Sequence, residues 1–412
     1  MRVLVNLFDR EPIKNVLSAT IFAPEIAVFL CDKWDSNLFK ESAVYRFFKR
    51  RGLRTRPRFY YFDAREPGAV RKALIAVVRD YPGCVFDFTG GRDLMLVLAG
   101  SISADLDLPA FYIDIRRGRF CPLRHCETFE KKFRIPRFSA EDLLSVTGAA
   151  VHGYGHVLPQ QVEQTEEEDI RTVFEMLMKN TRAWGEFVSY LQVCCSGTGP
   201  EQLEVSGAKT MRGDKLLVQY NPALMQQLLE KGLLTQYSLD GKGVFFTFKS
   251  PLVKKWLLSA GVWLELFCYV TVRKTGFFHE VLSSVIIDWD GVEGGADTAK
   301  NEVDLLLVKG VTPVFVSCKM GMPSPLALCE VNQLAEKFAG NYGRSAVVTA
   351  QKLGKETAAL RNRAEELGVL LLDRDNIEKK TLAKQLIKLA SSPAPTPPSP
   401  PLPTPQGWKP WK

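Results

Sequence analysis

The chain has 412 residues, 46% of them hydrophobic and 24% charged, with a formal net charge of +8. That is too long for one ordinary domain, ample for packed cores, and basic enough to suit an anionic partner without approaching a histone. No run of about 18 uncharged apolar residues occurs, which argues against a membrane span, and nine scattered cysteines without a secretory signal favour a reducing cytoplasm.

Over residues 1–150, short apolar runs alternate with helical periodicity. Val3–Asn6, Ile26–Leu30, Arg58–Phe62, Cys84–Phe88 and Ala110–Ile115 read as strands. Ile13–Ala19, Ser36–Arg50, Gly68–Tyr81 and Asp93–Ala104 between them read as helices. The alternation predicts a Rossmann-like, mostly parallel sheet covered on both faces, with ligands beyond the carboxyl ends of its strands. The basic cluster Lys49-Arg50-Arg51 reads as a solvated helix end. Cys121, His125 and Cys126, with His152 and His156 further on, lack the paired spacing of a zinc site, and chance clustering is the preferred reading.

Thr89-Gly90-Gly91-Arg92-Asp93 leaves a buried strand and enters a helix. Paired glycines there let backbone N–H groups approach a phosphate, although any strand-to-helix turn carries such glycines too. The spacing is not G-x-G-x-x-G, so a dinucleotide cofactor is poorly supported.

Residues 151–250 read as a connector: an acidic Glu163–Asp169, a helix over Ile170–Tyr190, a helix over Asn221–Lys231, then a hairpin of Leu233–Ser238 and Val244–Lys249. That order is the outline of a winged helix, acting here as a linker in preference to a DNA reader. A third unit over 251–390 opens with a long helical stretch, Ser250–Thr271, and a strand, Val281–Trp289. A hairpin follows, Val303–Val308 and Thr312–Lys319, then Leu326–Ala339, Ala346–Ala350, Lys355–Leu367, Val369–Asp373 and Lys379–Ala390. Residues 391–412 hold nine prolines and read as a disordered, solvated tail.

The hairpin carries Asp304 on one arm and Ser317-Cys318-Lys319 on the other, within apolar runs. A carboxylate and an ammonium there are costly unless paired or functional. Metal-assisted phosphodiester hydrolysis needs carboxylates to hold Mg²⁺ or Mn²⁺ and a lysine to orient water or steady developing charge. Glu265 on the preceding helix and Glu330 on the following one are the acids expected to complete the site, and Glu302 is a further neighbour. Ser317 stands where a second strand carboxylate is usual, so Glu330 fills the gap or the site is weak. A buried Asp304–Lys319 ion pair is the bland alternative.

The first strand, its loop Phe8-Asp9-Arg10-Glu11 and the Thr89-Gly90-Gly91…Met95 turn resemble the sensor motifs of CRISPR-associated Rossmann-fold (CARF) domains. Asn301-Glu302-Val303-Asp304 followed by Pro313 to Lys319, with Gly261-Val262-Trp263-Leu264-Glu265 before them, is similar to the PD-(D/E)XK nuclease part of type III CRISPR ancillary proteins. The resemblance implies a homodimer; the lack of a long apolar run leaves no membrane partner expected. Asn6, Phe8, Asp9, Arg10, Thr89, Gly90, Gly91, Arg92, Asp93 and Met95 would line a cyclic oligoadenylate site, cyclic tetraadenylate being the expected activator. Asp93 stands where the family has a lysine, and Arg92 is the nearest replacement. The implied activity is Mn²⁺- or Mg²⁺-dependent cleavage of single-stranded DNA or RNA, or nicking of duplex DNA, with Asp304, Glu265 and Glu330 as metal ligands. The alternative is a ligand-gated regulator that grips nucleic acid without cutting it.

Overall fold

The structure is a computed structural model, and it describes residues 1–35, 38–131, 133–155, 162–213, 217–241, 243–259, 261–289, 291 and 300–392. His156, Asp290, most of the Gly-rich connection after Trp289, and the tail from Pro393 lie outside them.

The first sheet has the order β3-β2-β1-β4-β5-β6. Its strands are β1 (Val3–Leu7), β2 (Ile26–Asp32), β3 (Arg56–Phe62), β4 (Val85–Asp87), β5 (Ala110–Asp114) and β6 (Arg119–Arg124). All pair in parallel except β6, which turns back antiparallel on β5. Helices α1 (Pro12–Phe22), α2 (Leu38–Arg50), α3 (Pro67–Asp80) and α4 (Asp93–Asp105) fill the crossovers. All five residues of β1 are buried, as a strand covered on both faces requires. Its odd positions Val3, Val5 and Leu7 pack with α3 and α4, and Leu4 packs with α1 and α2. The two short helices α5 (Glu127–Glu130) and α6 (Ala140–Val146) then lead out of this unit.

Strand β7 (Ala150–Tyr154) already belongs to a second sheet, where it pairs antiparallel with β13 (Glu280–Asp288). Between these partners the chain builds α7 (Gln164–Lys179), α8 (Thr181–Cys194), β8 (Glu204–Ala208), β9 (Thr210–Arg212), β10 (Leu217–Gln219) and α9 (Pro222–Glu230). The hairpin β11 (Leu234–Asp240) and β12 (Gly243–Phe248) joins β8 in a three-stranded sheet. The single helix expected over Ile170–Tyr190 is two helices that break at Asn180, whose side-chain amide donates to the Met176 carbonyl at 2.8 Å. The stretch Ser250–Thr271 likewise divides into α10 (Pro251–Leu257) and α11 (Val262–Arg273).

The second sheet runs β17-β16-β15-β14-β13-β7, with β14 (Lys300–Lys309), β15 (Thr312–Lys319), β16 (Arg344–Thr349) and β17 (Leu370–Leu372). Helix α12 (Pro325–Ala339) lies between β15 and β16, and α13 (Ala358–Glu366), α14 (Arg374–Glu378) and α15 (Leu382–Ser391) complete the fold. Two cores sandwich this sheet. Leu306, Val308 and Phe315 pack with α12, and the same core continues to Leu4 and Phe29 of the first sheet. Leu305, Leu307, Val314 and Val316 pack on the other side with α11 and the middle unit. Among the described residues no helix is long and apolar enough to cross a membrane.

Candidate functional sites: a cleft at the strand ends and a carboxylate pair

In the first sheet the chain winds outward from β1 through β2 to β3 and then returns to β4 on the other side of β1. Loops that follow β1 and β4 therefore diverge at a crevice, the place where open α/β sheets bind ligands. The two expected ligand loops meet there. Asp9 ties them together: its Oδ2 accepts from Gly91 N at 2.8 Å and from Lys14 Nζ at 3.1 Å, and its Oδ1 from Glu11 N at 2.8 Å. A Cβ on Gly90 would lie 2.9 Å from Asp9 Cβ, and one on Gly91, at φ +119°, would lie 2.6 Å from Leu7 Cβ. The glycines are thus required by the approach of one loop to the other. Gly91→Ala should destabilise the fold by about 2 kcal/mol or more, since backbone strain and overpacking each cost about 1–3 kcal/mol; urea denaturation reads this directly.

Of the other expected ligand residues, Thr89 is buried, its Oγ1 accepting from Ile113 N at 3.0 Å. Asn6 is 2% exposed, and among the described residues neither polar atom of its side chain has a hydrogen-bond partner. It stands in register with Asp87, whose carboxyl burial pushes up to about 6 against hydrogen bonds from Ser18 and Thr89. Met95 is core, Phe8 packs edge-on to Phe29, and Arg10 and Asp93 are exposed. Arg92 is engaged by Asp32, with 2.8 Å between them, so the cation proposed to replace the missing lysine has a carboxylate of its own.

Asp9, Thr89, Gly90 and Gly91 line a cleft of about 1110 Å³. Sequence reasoning missed the rest of its wall. Lys14, Tyr112 and Arg116 come from the first unit, Lys309 and Arg344 from the second sheet, and Tyr342 from the turn just before β16. Nothing local marks these residues, because the wall exists only once the two units pack.

The second site lies on the β13–β14–β15 surface, where the ladder is irregular. Ser284 has φ +54°, and no Ser284–Asp304 pair stands between Ser283↔Leu305 and Val285↔Val303. Val303 and Leu306 consequently share one core while Leu305 faces the other, and Asp304 sits at this break in alternation. Asp304 Oδ2 accepts from Cys318 N at 2.6 Å and Ser317 Oγ at 3.2 Å, with Lys319 Nζ 3.8 Å away. Burial raises the Asp304 carboxyl above its usual range, and these three groups oppose the rise.

Glu265, in the first turn of α11, lies near enough to feel the charges of Asp304, Glu302 and Lys319. Its Oε2 is buried without a hydrogen-bond partner among the described residues. Burial, then Asp304 and Glu302, push its carboxyl up to about 8, with Lys319 acting against them. Glu302 lies within β14, not before it, and is held by the Ser284 hydroxyl.

Glu330 does not join this group. It is exposed on α12, off the inward face of that helix, which Leu328 and Val331 fill. The gap at Ser317 is therefore not filled from α12. Among the described residues no group of three or more His, Cys, Asp or Glu is placed to hold a metal ion. What is assembled is a carboxylate pair with a lysine. Two carboxylates, one with an oxygen that has no hydrogen-bond partner among the described residues, face a single lysine, and a hard divalent cation with oxygen ligands fits that deficit. His125 meets Asp107 at 2.9 Å, and His279 Nε2 lies 2.8 Å from the Phe138 carbonyl, so both are engaged in local contacts.

No protein-family model and no curated protein matches the chain. Solved structures do match over nearly its whole length. Protein VC1899 from Vibrio cholerae aligns with a TM-score of 0.71 at 18% identity, covering 95% of this chain and 98% of that one. Can2 from Sulfobacillus thermosulfidooxidans, solved in complex with cyclic tetra-adenylate, aligns with a TM-score of 0.67 at 16% identity, covering 95% of this chain and 99% of that one. The chain shares their overall α/β fold.

Proposed function

We propose that the chain is a cyclic-oligoadenylate-responsive, metal-dependent nuclease of type III CRISPR defence. The observation that carries the reading is the Asp304–Lys319 pair at 3.8 Å with the buried, charge-coupled Glu265 nearby, whose Oε2 has no hydrogen-bond partner among the described residues. The cleft at the strand ends supports the sensor half, and so does the likeness to Can2, whose bound ligand is cyclic tetra-adenylate. Mn²⁺ or Mg²⁺ is the cofactor, and single-stranded DNA or RNA is the substrate class.

The residues divide the work. A bound divalent cation would lower the pKa of a water and neutralise phosphate charge. Asp304 and Glu265 would hold it. All the contacts to Asp304 from Cys318, Ser317 and Lys319 fall on Oδ2, which fixes the carboxylate and leaves Oδ1 for an incoming ligand. Lys319, nearly half exposed, can swing from Asp304 to a scissile phosphate and steady its developing negative charge. A homodimer is part of the proposal. Ile75 on α3 and Val97 on α4, 50% and 68% exposed, are apolar side chains that a second copy could cover.

The competing reading, a regulator that binds nucleic acid without cutting, rests on Ser317: a hydroxyl on β15 where the resemblance expects a carboxylate. Labelled single-stranded DNA and RNA, incubated with Mn²⁺ and with or without cyclic tetraadenylate, separate the two. Cleavage is expected only when metal and ligand are both present. Ligand-dependent retention on the strand with no product would instead establish the regulator.

A further inference from the structure

Arg344 opens β16 in the second sheet, yet it lines the cleft of the first. It is 7% exposed. Its Nη1 donates to the Asn341 and Gly343 carbonyls at 3.0 and 2.7 Å and its Nη2 to the Ser392 carbonyl at 2.9 Å, while Nε is buried without a partner among the described residues. No carboxylate neutralises it among the described residues. Across the cleft, Arg116 on the β5–β6 turn is exposed and also has no ion-pair partner among the described residues. Burial, then the charge of Arg116, lowers the affinity of the Arg344 guanidinium for its proton. Two guanidinium groups thus share a polar cleft whose wall carries five cationic side chains against three carboxylates.

The segment that presents Arg344 is held by the ligand loop of the first unit. Glu11 accepts from Asn341 N at 2.9 Å and from Asn341 Nδ2 at 2.6 Å. Gly340, at φ +52°, packs against that carboxylate with no room for a Cβ. Tyr342 lies between them and also lines the cleft.

We infer that Arg344 and Arg116 form a phosphate clamp across the cleft, so that the second sheet supplies part of the anionic-ligand site. The clamp rests on the proposed reading of the cleft as a cyclic oligoadenylate site. Planar guanidinium forks suit phosphodiester oxygens, and one phosphate between them would remove the unpaired buried donor and the repulsion together. A ligand held this way acts directly on β16, which pairs in parallel with the strand carrying Ser317 and Lys319 through Ser317↔Val347 and Lys319↔Thr349.

Calorimetric titration of the full chain with cyclic tetraadenylate, without metal, tests the clamp. Arg116→Ala leaves the core untouched and should weaken binding roughly 10- to 100-fold, the range for a charged hydrogen bond. Arg344→Lys keeps the charge but loses the fork and should weaken it about tenfold. The double variant should cost less than the product of the two, because both groups hold one phosphate. Arg117→Ala is the control, since Arg117 lines the same cleft but is paired with Asp114 at 3.0 Å. Wild-type affinity in both Arg116→Ala and Arg344→Lys would overturn the clamp while leaving the sensor reading intact. Equal losses in Arg116→Ala and Arg117→Ala would also overturn it, in favour of diffuse attraction. A wild-type chain that does not bind the ligand would remove the sensor reading and the clamp with it.

Discussion

Asp304→Asn is expected to abolish metal-dependent cleavage, by more than the roughly 10- to 100-fold typical of losing an outer-shell partner of a metal site, and to leave cyclic tetraadenylate binding unchanged. The substitution keeps shape and removes charge. The side-chain carbonyl of the new amide can still accept from Cys318 N, so the strand break should persist. What disappears is one of two carboxylates available to a cation and the partner that holds Lys319 at 3.8 Å. The separation of effects is expected because Asp304 is not among the residues that line the cleft. Cleavage and titration on the same preparation are the measurement. Cutting retained within about threefold, far below the loss of any charge-stabilising group, would remove Asp304 from the site. Loss of ligand binding as well would mean the variant had perturbed the fold instead.

Asp304 was legible in sequence because a lone acid in the run Val303 to Val308 has no cheap explanation. Glu265 was legible for the same reason on an otherwise apolar helix. Glu330 shows where that reasoning stops. Spacing along α12 put an acid within reach of the gap at Ser317, but the inward face of the helix is set by Leu328, Val331, Leu334 and Phe338, and Glu330 is outside it. Elements whose partners are near in sequence were read well: β15 spans Thr312–Lys319 as expected from the tight Lys309-Gly310 turn. Strand β7 was missed because its pairing with β13 joins residues more than a hundred positions apart, and nothing in Ala150–Tyr154 announces it. The same limit hid the far wall of the cleft. Thr89 Oγ1 accepts from Ile113 N of β5 and Gly91 N donates to Asp9, contacts between distant segments that no local pattern announces.

Glu265→Gln should flatten the pH dependence of stability in the metal-free protein. An isolated glutamate titrates near 4.5, and burial with Asp304 and Glu302 nearby pushes Glu265 up to about 8 in the fold. Above pH 4.5 the unfolded chain has released this proton while the folded chain keeps it. The folded state then binds more protons than the unfolded one, so stability falls as pH rises and the loss is complete only once pH passes about 8. At 1.36 kcal/mol per unit the whole change is on the order of 5 kcal/mol. Melting curves between pH 5 and 8.5 should show the wild type losing several degrees relative to Glu265→Gln, which holds a neutral isostere at every pH. Adding Mn²⁺ at pH 8 should recover stability in the wild type and not in the variant, because only the ionised carboxylate is a ligand for the cation. Parallel curves for the two proteins would show that Glu265 titrates normally and is solvated. The metal site would then have to be sought without it, and the orphaned oxygen on α11 would no longer argue for a cation.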